Sequence, residues 1–226
     1  MILDKRADLR HGDVKKLLFS LSVPTITSQI VNMLYNLVDR VFIGHMQPAE
    51  TVGKLALTGV GVCLPIIMVI SAFASLMAIG GAPRASIAEG AGESEKSERI
   101  MGNCLTMLVI TALVLTVLFE SFAEPLLLMF GASENTIGYA LDYMRIYALG
   151  TIFVQLTLGM NAYITAQGFA TVSMKTVLIG ALLNTALDPL FIFVLGLGVR
   201  GAALATVISQ AVSAVWVMTF LTGKKT

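Results

Sequence analysis

Asn184-Thr-Ala-Leu-Asp188-Pro189-Leu-Phe-Ile-Phe-Val-Leu-Gly196-Leu-Gly198-Val-Arg200-Gly201-Ala-Ala-Leu-Ala-Thr206 is an apolar run that carries an amide and a carboxylate four residues apart. On a helix that spacing sets Asn184 and Asp188 on one face, one turn apart. Pro189 follows at once and has no backbone N–H to give. Inside a helix it would leave the carbonyl of Thr185 without its usual donor. One short segment thus offers a carboxylate, an amide oxygen and a freed carbonyl. In a water-exposed loop this would mean little; within a membrane it reads as a cation or proton site.

Composition places the run within a membrane. The chain of 226 residues is 56% hydrophobic and only 13% charged, with a mean hydropathy of +0.84. A soluble globular domain carries about 25% charged residues. A net charge of +1 argues against a nucleic-acid partner. The two cysteines, Cys63 and Cys104, lie in apolar runs and read as small buried residues. His11 and His45 stand far apart, and no ligand spacing supports a metal centre.

Residues 1–16 mix Lys5, Arg6, Arg10, Lys15 and Lys16 with Asp4, Asp8 and Asp13. That is too acidic for a transit peptide, and the apolar run behind it is too long for a signal peptide. The stretch reads as a solvated leader. Six apolar segments follow, over 17–43, 55–81, 100–122, 136–160, 174–195 and 201–222, each near the ~20 residues that cross a bilayer. The predicted fold is therefore all-α: a polytopic membrane protein, 17–222 forming a six-helix bundle and 223–226 a short end. Placing the N-terminus in the cytoplasm puts Lys5, Arg6, Arg10, Lys15, Lys16, Arg84, Lys96, Arg99, Lys175, Lys224 and Lys225 on that side. These are 11 of the 15 basic residues. The positive-inside rule then predicts both termini cytoplasmic, in accord with an even number of spans.

With that topology Asp39, Asp188 and Thr206 share a depth in the outer half of the bilayer. An ionised carboxylate at mid-membrane costs about 2.5–3.5 kcal/mol, so the two acids need partners, protons or a cation. The alternative for Asp39 is an interfacial position paired with Arg40 or Lys54. Other polar residues read more simply. Asp142 and Arg145 can pair on one helical face; Glu120 and Glu124 are expected to face water; Pro24 and Pro65 mark bends. Gly201-Ala202-Ala203 with Ala205 lets helices approach closely.

The spans 5 and 6 pattern, Asn184-x-x-x-Asp188-Pro189 then Gly196-x-Gly198-x-x-Gly201-Ala202-Ala203-x-Ala205-Thr206, resembles the multidrug and toxic compound extrusion (MATE) transporters. Span 1 is similar as well, in Val23-Pro24, Gln29, Tyr35-Asn36, Asp39, Phe42 and Gly44. So is Ala166-Gln167-Gly168 with Ser173-Met174, although Thr165 stands where a basic residue is often found. The resemblance implies a non-enzymatic exporter of small organic, often cationic, compounds by antiport with Na⁺ or H⁺, in a bacterial plasma membrane. It implies a cation or proton site of Asp39, Asn184, Asp188 and Thr206, with Tyr35, Tyr143 and Asn161 as supporting neighbours. It implies no cofactor beyond the coupling ion, which would be Na⁺ held at Asp39 and Asp188 or a proton.

Members of that family have twelve spans in two facing lobes, and this chain corresponds to the N-terminal lobe alone. It is expected to be a fragment, with a half-transporter that pairs with another half as the alternative; either way its partner is a second six-helix lobe. A flippase for lipid-linked oligosaccharides, built on a related bundle, is the alternative. Such a cavity needs several basic residues for a pyrophosphate, and only Arg40 and Arg145 are candidates here. A purely structural membrane subunit would leave Asp39 and Asp188 without a purpose.

Overall fold

The computed structural model describes residues 13–223, apart from the side chains of residues 49 and 50. The expected leader lies outside the described residues up to residue 12, as do residues 224–226 of the expected C-terminal end. Among the described residues eight α-helices follow one another and no strand occurs: α1 Val14–Gly44, α2 Lys54–Val62, α3 Leu64–Gly90, α4 Ser94–Met129, α5 Ile137–Leu149, α6 Thr151–Ala166, α7 Ala170–Pro189 and α8 Val199–Leu221. Short π-helical turns, Ala49–Gly53 and Leu190–Val194, precede α2 and follow α7.

Five stretches are long and apolar enough to cross a membrane: α1, the Thr51–Gly90 run that holds α2 and α3, α4, α7 with its π-turn, and α8. The α5–α6 pair, bent by 57°, makes six when counted as one span. The bend falls at Gly150, where α8 comes so close that a Cβ would collide with the Val207 side chain. The α2–α3 break falls at Cys63, which puts Pro65 in the first turn of α3, where its missing N–H would have had no helical partner. Helix α1 runs unbroken through Pro24, and Ser28 Oγ donates to the Pro24 carbonyl at 2.8 Å.

Helix α4 is longer than expected. It continues seven residues past the predicted end at 122, with non-helical angles at Phe122 (φ −119°, ψ 18°) just ahead of Pro125. Proline removes the i→i−4 bond to residue 121, and the strain is taken up there. The extension carries Glu120 away from the helix end. Its residue is half-buried and Oε1 is buried without a hydrogen-bond partner, so the expectation that Glu120 faces water does not hold; Glu124 is exposed as expected.

Two apolar cores hold the bundle. One gathers Ile43, Val60, Ile66, Phe119, Tyr143 and Val199; the other gathers Leu108, Met160, Tyr163, Phe169 and Leu221. Ala202, Ala203 and Ala205 are fully buried on α8. Gly201 is needed because α8 meets the π-turn backbone: a Cβ would stand 2.7 Å from the Phe191 carbonyl carbon and oxygen. Helix α1 packs chiefly on α7, and of its 31 residues only Asp39 and Ile43 are buried. Large apolar side chains such as Phe19, Met33, Ile79 and Val117 face outward, as a lipid environment requires.

Candidate cation site at the head of a polar cleft

Between α1, α3, α6, α7 and α8 lies a cleft of about 750 Å³. Each helix lines it with one face: Ser173, Thr176, Gly180 and Asn184 on α7 follow the 3–4-residue spacing of a helical stripe, and so do Thr206, Ser209, Gln210 and Ser213 on α8. The described lining holds hydroxyls and amides but no Asp, Glu, Lys or Arg. Asn184 and Thr206 line it and Asp188 does not, but Asn184 hydrogen-bonds both Thr206 and Asp188.

Asp188 is fully buried, Asn184 is 1% exposed and Asp39 is 8% exposed. Asn184 Nδ2 donates to Asp188 Oδ1 at 3.1 Å and, more weakly, to Thr206 Oγ1 at 3.4 Å. Thr206 Oγ1 in turn donates to the Ala202 carbonyl at 3.0 Å. Three oxygens are left buried and unpartnered: Asp39 Oδ1, Asp188 Oδ2 and Asn184 Oδ1. Asp39, on α1, contributes to the electrostatic surroundings of Asp188, on α7, the helix that α1 packs against. Asp39 also feels the charge of Arg40, but Asp39 Oδ1 accepts no hydrogen bond. Two buried carboxylates on helices that pack together, with oxygens to spare, fit a hard cation, which takes oxygen ligands, or a shared proton.

A family model for MatE matches residues 24–190. This chain belongs to the MatE family. It is 29% identical over 214 residues to the multidrug export protein MepA of Staphylococcus haemolyticus (strain JCSC1435), covering 95% of this chain and 46% of that protein. Among solved structures, a MATE transporter in complex with MaD3S superposes with a TM-score of 0.88 at 28% identity, over 98% of this chain and 49% of the other. The outward-facing conformation of a multidrug resistance MATE family transporter of the MOP superfamily gives 0.86 at 28% identity, over 95% and 46%. The chain thus spans about half the length of the curated relatives it matches. None of these findings supports the flippase alternative.

Within this MATE lobe, Asn184 hydrogen-bonds both Asp188 and Thr206, while Asp39 reaches them only through its charge on Asp188. Tyr143 is buried, stacks on Tyr147 with ring centroids 5.9 Å apart, and senses Asp39 and Thr206. Tyr35 is in electrostatic contact with both carboxylates and in polar contact with Gln210. Asn161 lines the same cleft but sits apart from the quartet, its Nδ2 donating to the Ser173 carbonyl at 3.3 Å. Sequence reasoning missed Gln210. It stands one turn beyond Thr206 on α8, and its carbonyl accepts from Thr157 at 3.1 Å while Oε1 is unpartnered. The i,i+4 spacing from Thr206 was the available signal.

Asp142 does not pair with Arg145. Its carboxylate takes a 2.8 Å ion pair from Arg200, at the start of α8. Packing of α5 on α8 brings the two ends together, and a cross-helix partner displaces the one allowed by spacing alone. Cys63 is buried, with Sγ against the Ala140 carbonyl at 3.4 Å, as expected of a small core residue.

Proposed function

We propose that this lobe is the ion-coupled half of a multidrug efflux antiporter, exchanging small organic, often cationic, compounds for Na⁺ or H⁺. The observation that carries the reading is the site itself: Asp39 and Asp188, buried on helices that pack together, with unpartnered oxygens at the head of an otherwise uncharged cleft. A structural bundle has no use for two such groups, because each costs free energy that only an ion or proton can offset. Family membership and the multidrug export relative support the substrate class.

The chemistry is binding and release, with no covalent step. In the ion-free state Asn184 holds Asp188 through its amide donor. Arrival of Na⁺ adds charge that the two carboxylates and the oxygens of Asn184 and Thr206 can share; arrival of a proton neutralises one acid. Either event favours one shape of the lobe over another, and that differential preference drives export. Helix α1 is suited to respond, since its buried anchors sit only at the Asp39 end. The cleft faces a second six-helix lobe, and both ends of this lobe lie on the cytoplasmic side of a bacterial plasma membrane. The test is export of a fluorescent organic cation by the native protein in proteoliposomes. Export driven by an imposed Na⁺ or H⁺ gradient supports antiport; export indifferent to both gradients refutes it.

A further inference from the structure

Helix α6 is polar on two faces. Thr157, Asn161 and Thr165 follow one another at four-residue steps and line the cleft. Thr151 and Gln155 are also one turn apart, but both are 0% exposed and neither lines the cleft. Gln155 stands two residues, and so about 200° around the helix, from Thr157. Its Nε2 donates to the Ile70 carbonyl of α3 at 2.9 Å. That bond fixes the amide, since turning it would set carbonyl against carbonyl, and Oε1 is left buried without a partner. Thr151 Oγ1 is buried without a partner too. A helical threonine commonly donates to the carbonyl four residues back, as Thr58, Thr106, Thr176 and Thr206 do here. Thr151 is the first residue of α6, beyond the 57° bend, so its usual acceptor belongs to a helix that runs in another direction.

We propose that Thr151 and Gln155 hold a resident water molecule at the α5–α6 bend, in a site separate from the cleft. The two side chains share a helical face, yet their oxygens make no bond to each other. A water accepts the Thr151 hydroxyl hydrogen and donates to Gln155 Oε1, which satisfies both at once. Its second hydrogen is left for a backbone carbonyl at the break. Carbonyls there do take outside donors: Ala148 accepts from Thr116 Oγ1, on α4, at 2.9 Å. Buried waters typically make about three hydrogen bonds to otherwise unsatisfied groups, and ordered water restores the bonds that a break takes from a membrane helix. A cation fits less well, because both side chains are neutral and a buried charge without a counter-charge is costly. The bend sets the direction of α5, whose Tyr143 senses Asp39, so the water braces the joint that carries this neighbour of Asp39. The site is independent of ion coupling.

The experiment pairs a density map of the native protein in nanodiscs, at a resolution that shows ordered water, with thermal unfolding in detergent of Thr151→Val, Gln155→Leu and the double variant. The native map is expected to show a water within hydrogen-bonding distance of both Thr151 Oγ1 and Gln155 Oε1. A map that resolves water elsewhere in the interior but none there overturns the site. Thr151→Val keeps the shape of the side chain and removes only the hydroxyl. With water bound, the unfolding midpoint is expected to fall by a few degrees. A midpoint that stays or rises overturns the site, because removal of a dry, unsatisfied hydroxyl relieves a cost. In the Gln155→Leu background the same substitution is expected to cost less, since the shared water is already disturbed. An equal fall in both backgrounds overturns the bridge. Replacing Na⁺ with K⁺ is expected to leave these differences unchanged; a difference seen only in Na⁺ assigns the oxygens to a cation and overturns the water. The native map decides the matter even where a variant fails to fold.

Discussion

Asn184 and Asp188 are joined by a 3.1 Å hydrogen bond across a single turn of α7, and Pro189 ends the α-helical turn immediately beyond. The π-turn Leu190–Val194 takes over there, and π-turns recur where helices carry functional groups. Asp188 is thereby fixed one residue from the end of α7, with Oδ1 occupied by the amide and Oδ2 unpartnered. One carboxylate oxygen is thus held and the other is buried without a partner, the arrangement on which the proposed ion site rests.

Neutral ligands should matter less than charged ones. Asn184→Ala and Thr206→Ala each remove one neutral oxygen while both carboxylates stay, so the apparent affinity for the coupling ion should fall by about tenfold, not vanish. Titrating transport against Na⁺ concentration, or against pH where protons are the coupled ion, reads this directly. Complete loss of coupling in Thr206→Ala would show that the hydroxyl holds more than its share.

Backbone proximity between α8 and the π-turn sets a stability prediction. Gly201→Ala would place a methyl 2.7 Å from the Phe191 carbonyl, and overpacking of this kind costs about 1–3 kcal/mol. Gly61→Ala is the control, because its added Cβ meets nothing within 4 Å. Thermal unfolding in detergent should show a lower midpoint for Gly201→Ala and little change for Gly61→Ala.

Much of this architecture was legible in the sequence. Six apolar runs and their breakers predicted an all-helical membrane bundle, and the four-residue spacing from Asn184 to Asp188 predicted their shared face. The ends were less legible: hydropathy marks where lipid begins, not where a helix stops, so α4 ran on to Met129 and drew Glu120 into a half-buried position. Partners across helices were not legible at all. Arg200 won Asp142 from Arg145, and Gln210 turned toward Tyr35, because the rotation of each helix about its axis is decided by packing. The bend at Gly150 has the same origin, since only the approach of Val207 explains that glycine.

The bias of basic residues predicts an orientation in the membrane. Reporter fusions after Thr226 and within the Gly44–Gly53 connection should report a cytoplasmic C-terminus and an external loop. A C-terminus on the external side would contradict the six-span reading of the α5–α6 pair, because five spans would leave the two ends on opposite sides.

Asp39 and Asp188 are proposed as the coupling carboxylates. The most direct measurement is gradient-driven export of a fluorescent organic cation from proteoliposomes containing the native protein, Asp39→Asn, Asp188→Asn or Glu124→Gln. Asn keeps the size and hydrogen-bonding capacity of Asp but can neither neutralise Na⁺ nor exchange a proton, and loss of a buried charge should leave expression intact. Glu124 is the control because it is acidic, exposed and on α4; Glu120 is unsuitable, its Oε1 being buried. Each Asp variant is expected to fold yet export no faster with a gradient than without one, while Glu124→Gln behaves as the native protein. Gradient-driven export by Asp188→Asn at the native rate would contradict that assignment.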